Sequence, residues 1–343
     1  MRNLGNVLYI TSPDVYLSLD GETIVVRKDS QASTRLPLHN LESIVCFNYQ
    51  GASPALMGAC AEKKIGLSFF SPNGRFLARV SGRVKGNVLL RKQQYDSSGD
   101  AKISQSVSAS FLIGKVYNSR QVIRRAIRDH GLLLNIASLE DVSSFLKETL
   151  ESIHGSQSKA ELLAFEGAAA KAYFSIFDQL ILQQKNEFYY KERSRRPPLD
   201  RMNSLLSFLY SLLTNEVASA LEGVGLDPYV GFLHTDRPGR PSLALDLMEE
   251  LRPVFADRLA LSLVNRKQVT ATGFTIKENG SILMEEDTRK RVLTAWQERK
   301  KEEILHPFLQ EKIPFGLLPH VQAQLLARHL RGDLDAYPPF FWN

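Results

Sequence analysis

The chain has 343 residues, 43% hydrophobic and 23% charged, with a formal net charge of +6 at pH 7. That is ordinary composition for a soluble globular protein, long enough for two cores, and no run approaches the ~18 apolar residues of a membrane span. The positive balance is mild and leans towards a polyanionic partner without requiring one.

Residues 1–14 lack the apolar core of a signal peptide. Cys46 and Cys60 stand in apolar surroundings without metal-ligand spacing, so buried, reduced thiols in a cytoplasmic protein are expected. Residues 1–86 read as β-rich. The segments 6–11, 15–20, 23–27 and 43–47 are short β-branched or aromatic runs, and Asp20-Gly21 and Asn73-Gly74 carry hairpin chemistry. A helix is expected over 54–64 and a buried strand over 65–70. This block offers no catalytic chemistry, and its expected role is folding and dimerisation.

From about Asn87 the pattern turns helical. The expected fold is therefore α+β: a β-rich domain over 1–86, then a larger all-α catalytic domain over 87–343. Residues 91–95 look like the start of the connection. Residues 103–130 place Phe111, Leu112, Val116, Val122, Ile123 and Ile127 at mixed helical spacing. Lys115, Arg120, Arg124, Arg125 and Arg128 crowd the same helix, which is either a solvated face or a phosphate-facing one. Residues 158–180 form the clearest helix, with Leu162, Ala169, Tyr173, Ile176 and Leu180 in one stripe. Glu166 falls on that stripe, where a carboxylate needs a cation, a donor or a metal; ligand and ion pair are equally open. Gly167 and Ala168 to Ala170 leave room beside it for a helix or a substrate backbone. Residues 185–201 are basic, hold Pro197 and Pro198, and read as a loop into a helix over 203–221.

Residues 229–253, YVGFLHTDRPGRPSLALDLMEELRP, carry the densest candidate chemistry. Asp246, Glu249 and Glu250 stand at i, i+3 and i+4 and share a helix face, shortly after His234. One imidazole with clustered carboxylates suits a hard divalent metal. Pro253 kinks or restarts the helix, which resumes over 255–264. Residues 285–303, dense in both signs of charge, read as a solvated helix, and 337–342 as a packing tail. A rival pairing, Glu151-x-x-His154 with Glu303-x-x-His306, has di-iron spacing, but Gly155 and Pro307 place both histidines at helix ends. No phosphate-binding P-loop and no G-x-S-x-G elbow is present.

Three ordered motifs carry a family resemblance. LAFEGAAAKAYF (163–174) resembles the E-G-x-A-A-x-x-Y segment of the CRISPR adaptation integrase, the Cas-one family. RSRRPPLDRMNSLLSFLY (193–210) resembles its R-x-R-R-P-P-x-D-x-x-N-x-L-L-S segment. Residues 225–253 resemble its G-L-D-P-x-x-G-x-x-H and S-L-A-L-D-L-M-E-E-x-R-P signatures, while Lys115, Asn118 and Arg124 fit its K-x-x-N first-helix pattern. Leu209 departs from the glycine that many relatives carry before the tyrosine.

The resemblance implies a metal-dependent DNA endonuclease and integrase that inserts short foreign fragments into a CRISPR array. By motif, Glu166, His234 and Glu249 are the ligands of Mg²⁺ or Mn²⁺, Asp246 supports or shares the site, and Glu250 lies outside it. Arg195, Arg196, Arg240 and Arg252 are expected phosphate contacts, with Lys115 and Arg124 further out. Double-stranded DNA (fragment and repeat), a homodimer through the β domain, and a heterohexamer with the small Cas-two partner are implied. The C-terminal extension resembles subtype I-C. A repair nuclease that cuts without joining, and a DNA-binding scaffold with a silent site, are the alternatives.

Overall fold

The N-terminal strands follow from short apolar runs broken by turns that accept a left-handed residue. In the computed structural model, which describes residues 4–28, 34–83 and 87–343, β1 (Asn6–Ile10), β5 (Leu41–Cys46), β6 (Gly66–Phe70) and β7 (Phe76–Val80) form one sheet in the order β1-β5-β6-β7. The first three are parallel and β7 is antiparallel to β6. A second, antiparallel sheet joins β2 (Val15–Asp20), β3 (Thr23–Lys28) and β4 (Thr34–Pro37). Gly21 and Gly74 turn the two hairpins at φ +59° and +80°, which glycine adopts without strain. Helix α1 (Pro54–Lys63) starts with the Ser53 side chain accepting from Leu56 N and with proline in its first turn. Leu17, Ile24, Leu38, Ile44, Leu56, Cys60 and Leu67 fill the core of this unit. Both cysteines are free; burial pushes Cys46 up to about 12 and Cys60 to about 11, so they behave as apolar side chains.

Two compact units emerge: residues 1–86 with 284–297, and 87–283 with 298–343. The second is mainly helical: α2 (Val88–Gly99), α3 (Ala101–His130), α4 (Ile136–His154), α5 (Lys159–Ser175), α6 (Arg201–Val224), α7 (Ser242–Arg252), α8 (Arg258–Asn265), α9 (Glu286–Lys301) and α10 (Leu318–Leu330), the ninth shared with the first unit. Helix α3 runs 30 residues from an Asp100 cap and packs on α4, α5 and α7, while α6 packs on α7 and α10. Its spacing puts Phe111, Leu112, Gly114, Lys115 and Asn118 on the buried side and Arg124 outside. A π-helical turn, Pro253–Asp257, joins α7 to α8, because proline offers no N–H to the preceding turn.

Several elements differ from expectation. The segment around 91–95 belongs to a full helix, α2, and the stretch 158–180 divides into α5 and a 3₁₀ turn, Phe177–Leu180. Two hairpins, β8 (Phe274–Ile276) with β9 (Ile282–Met284) and β10 (Glu303–His306) with β11 (Glu311–Pro314), interrupt the later helices. Helix α9 is not a solvated rod: Thr288, Arg289, Val292, Leu293, Trp296 and Lys300 are buried. Its charges are frequent enough to mask an apolar stripe of 3.6 period. Among the described residues, no helix is long and apolar enough to cross a membrane.

Candidate active site

Helix α7 buries its acids, and each goes to a different partner. Asp246 is fully buried. Its Oδ2 accepts from the backbone N–H of Phe232 at 2.6 Å and of Leu233 at 3.0 Å. Its Oδ1 accepts from His234 N at 2.9 Å and lies 2.6 Å from His234 Nδ1. Each of its oxygens thus accepts two bonds, leaving Asp246 no lone pair to share with a metal. The bond turns Nδ1 towards Asp246 and Nε2 away from it, the ring orientation found behind metal-bound histidines. Gly231 is required here, since a Cβ would come 2.8 Å from Asp246 Oδ2. Sequence reading missed Gln94 on α2, which donates to the carbonyls of Asp227 and Val230 and accepts from Asp227 N, fixing the loop that carries His234.

Glu249 turns towards α3 and α5. Its Oε1 accepts from Arg252 at 2.6 Å, and its Oε2 lies 2.8 Å from Lys115 Nζ. Lys115 also pairs with Glu166, which reaches in from α5 with its side chain 30% exposed. One ammonium therefore gathers carboxylates from α5 and α7. Burial opposes ionisation of Glu249, but the charges of Arg252 and Lys115, with a smaller contribution from His234, outweigh it and hold its carboxyl at about 2.

Glu250 turns the other way. The Tyr337 hydroxyl, Gln322 Nε2 at 3.0 Å and Phe340 N at 2.8 Å all donate to it. With no cation beside it, burial pushes its carboxyl up to about 7 against those donors. Asn118 on α3 clamps the same junction, donating to the carbonyls of Glu250 (2.7 Å) and Phe340 (2.9 Å) and accepting from Trp342 N (2.8 Å). Trp342 lies under the guanidinium of Arg258, 4.1 Å from its ring centre.

The di-iron spacing has no counterpart. His154 ends α4, with Nδ1 2.8 Å from Leu150 O. His306 lies on a strand rather than at a helix end; its Nε2 meets Gln322 Oε1 at 3.0 Å and its Nδ1 accepts from Leu309 N.

A comparison with known proteins settles the lineage. The family model described as "CRISPR associated protein Cas1" matches residues 8–298. The chain belongs to the Cas1 family. A Rhodospirillum rubrum protein named CRISPR-associated endonuclease Cas1 2 is 52% identical across the full length of both chains. Among solved structures, a casposase bound to integration product superposes with a TM-score of 0.84 at 18% identity, over 98% of this chain and 94% of that one. A chain of a Cas6-RT-Cas1–Cas2 complex gives 0.82 at 21% identity, over all of this chain and 36% of that one. The β-rich region followed by a helical one is the Cas1 fold.

For a member of the Cas1 family, the donor set can be tested directly. Among the described residues, no three His, Cys, Asp or Glu side chains converge as a ready metal cage. Glu166 and Glu249 converge on Lys115 instead. Glu249 Oε2 is buried and has no partner in hydrogen-bond alignment, despite the nearby ammonium. An imidazole with Nε2 turned away from Asp246 and two carboxylates are donor types that suit Mg²⁺ or Mn²⁺, so in chemistry the residues fit such an ion.

The expected phosphate contacts divide in two. Arg195, Arg196 and Arg124 are exposed and Arg240 is half-buried. Lys115 and Arg252 are instead paired with buried Glu249, and Arg252 also stacks on the Tyr210 ring at 4.8 Å. Each occupies the heart of the site because the acids there require countercharge.

Proposed function

We propose that this chain is the metal-dependent DNA integrase of CRISPR adaptation, joining a fragment's 3′-hydroxyl to a phosphodiester of the repeat. The observation that carries the reading is the convergence of Glu166 and Glu249 on one cation, with His234 held by Asp246, one turn before Glu249 on the same helix. Glu166, His234 and Glu249 would hold Mg²⁺ or Mn²⁺, which when bound lowers the nucleophile's pKa and stabilises charge on the phosphorane. Asp246 fixes the histidine's tautomer, and Arg252 keeps Glu249 ionised. No covalent protein intermediate is required. Arg195, Arg196, Arg240 and Arg124 would bind duplex phosphates of fragment and repeat.

The Rhodospirillum rubrum relative, named an endonuclease, and the casposase bound to integration product support DNA cleavage and joining. Likeness to a chain of a Cas6-RT-Cas1–Cas2 complex supports a small Cas2 partner; the proposed assembly is a heterohexamer in which two homodimers, built through the β-rich unit, flank a Cas2 dimer. Free, buried thiols accord with a cytoplasmic setting. The docked tail supports a subtype with an extended C-terminus, I-C. Incubation with a supercoiled target, a 3′-OH donor duplex, Mn²⁺ and Cas2 tests the reading. Joined branched products, lost in Glu166→Ala and His234→Ala, are expected. Cleavage without joining would mark a repair nuclease, and DNA binding without either product a scaffold.

A further inference from the structure

The proposed centre holds its two carboxylates on a cation of the protein's own. Lys115 Nζ contacts Glu166 and lies 2.8 Å from Glu249 Oε2, with its side chain 8% exposed. This is no surface ion pair. Lys115 leaves α3 next to Gly114, where a Cβ would come 2.7 Å from that of Glu250, so α3 lies against α7 as closely as a backbone can. The other oxygen of Glu249 already accepts from Arg252 at 2.6 Å. Without the ammonium, two carboxylates from separate helices would face each other and repel.

A divalent ion on Glu166 and Glu249 needs the oxygens that Lys115 now holds. An ammonium and a dication repel, and a carboxylate oxygen has few lone pairs to divide between them. Lysine is suited to yielding, since its charge rides a flexible four-carbon stem; the planar fork of Arg252 holds Glu249 Oε1, which need not be released. We infer that Lys115 is a placeholder cation. It keeps Glu166 and Glu249 converged in the metal-free protein and surrenders their oxygens when a divalent ion binds. Resting on the metal reading above, this makes Lys115 a positioning residue and makes metal affinity the result of a competition inside the protein.

Mn²⁺ binding to the purified full chain by isothermal titration calorimetry, with thermal melts in chelator, tests this. Lys115→Met removes the charge while keeping an unbranched, helix-compatible side chain, and Lys115→Gln keeps amide donors without charge. Both variants should bind Mn²⁺ about tenfold tighter than wild type, or more, because the competitor is gone. Both should melt lower in chelator and regain the difference when saturated with Mn²⁺. Should neither fold without metal, recovery on Mn²⁺ addition is the corresponding expectation. Unchanged or weaker affinity in the folded variants, or no such recovery, overturns the placeholder role. Glu249→Gln keeps the two readings apart. If it abolishes binding that wild type shows, the centre stands and the Lys115 variants decide. If wild type binds no Mn²⁺, both readings fall.

Discussion

Glu249 and Glu250 are adjacent, identical in chemistry and both buried, yet they occupy opposite electrostatic regions. The α3–α5 side of α7 gives Glu249 two full positive charges, and its carboxyl stays ionised down to about 2. The tail side gives Glu250 a hydroxyl, an amide and a backbone N–H, and its carboxyl is pushed up to about 7. Neutral dipoles satisfy hydrogen bonds but do not repay desolvation of a charge as a cation does. The difference separates the pair: Glu249 keeps its charge among cations, while Glu250 bolts the helix to the C-terminal segment.

The sharpest break is on the charged side. Glu249→Gln should lower strand transfer by about 10³-fold or more with the fold retained, as for loss of a group that acts in the transition state; strand-transfer gels with circular dichroism check both halves. On the tail side the expected loss is stability instead. Glu250→Ala strands the donors of Tyr337, Gln322 and Phe340 and should cost about 3 kcal/mol in urea unfolding, while the Mn²⁺ affinity of the folded fraction changes far less than in Glu249→Gln.

Asp257 sharpens the comparison through pH. It is buried, the Tyr210 hydroxyl donates to it, and burial pushes its carboxyl up to about 6 even with Arg252 and Arg193 in its surroundings. A raised carboxylate contributes stability below its unfolded value, near 3.8, and that contribution is lost as pH rises through about 6. Unfolding at a series of pH values should therefore show Asp257→Asn gaining on wild type by up to about 3 kcal/mol between pH 4 and 7. Glu249 acts with the opposite sign: its contribution is present above pH 4.5 and is lost as pH falls towards 2. Asp246→Asn, which disturbs the histidine's tautomer, should weaken Mn²⁺ binding about 10–100-fold. The smallest effect is at the exposed arginines. Arg195→Ala with Arg196→Ala should reduce the slope of log affinity for duplex DNA against log salt by about 1 to 2.

Much of the fold is legible in the sequence because its cues are local. The Asp20-Gly21 and Asn73-Gly74 turns and the Ser53-Pro54 start each act within a few residues. The role of Lys115 is not legible: its partners are 51 and 134 positions away, and a lysine among arginines on a helix reads as surface. Arg252 misleads although its partner Glu249 is only three positions away, because the burial of that pair comes from tertiary packing, and α9 misleads because charge frequency hides its buried stripe. The i, i+3, i+4 pattern puts three acids on one face, but which of them meets cations depends on elements brought in by tertiary packing.

The Asn118 clamp has a consequence for the order of assembly. Its amide bonds join residues separated by as many as 224 positions, and Glu250 finds Phe340 across 90. Contacts of such separation close late, after loop entropy has been overcome. Until the segment 337–342 docks, Asn118 and Glu250 are polar groups in an apolar seam without their partners, and α7 is unbraced on that side. The helix bearing Glu249 therefore becomes rigid among the last steps of folding, and a chain caught before that step would hold Lys115 and Glu249 in separate, unbraced helices.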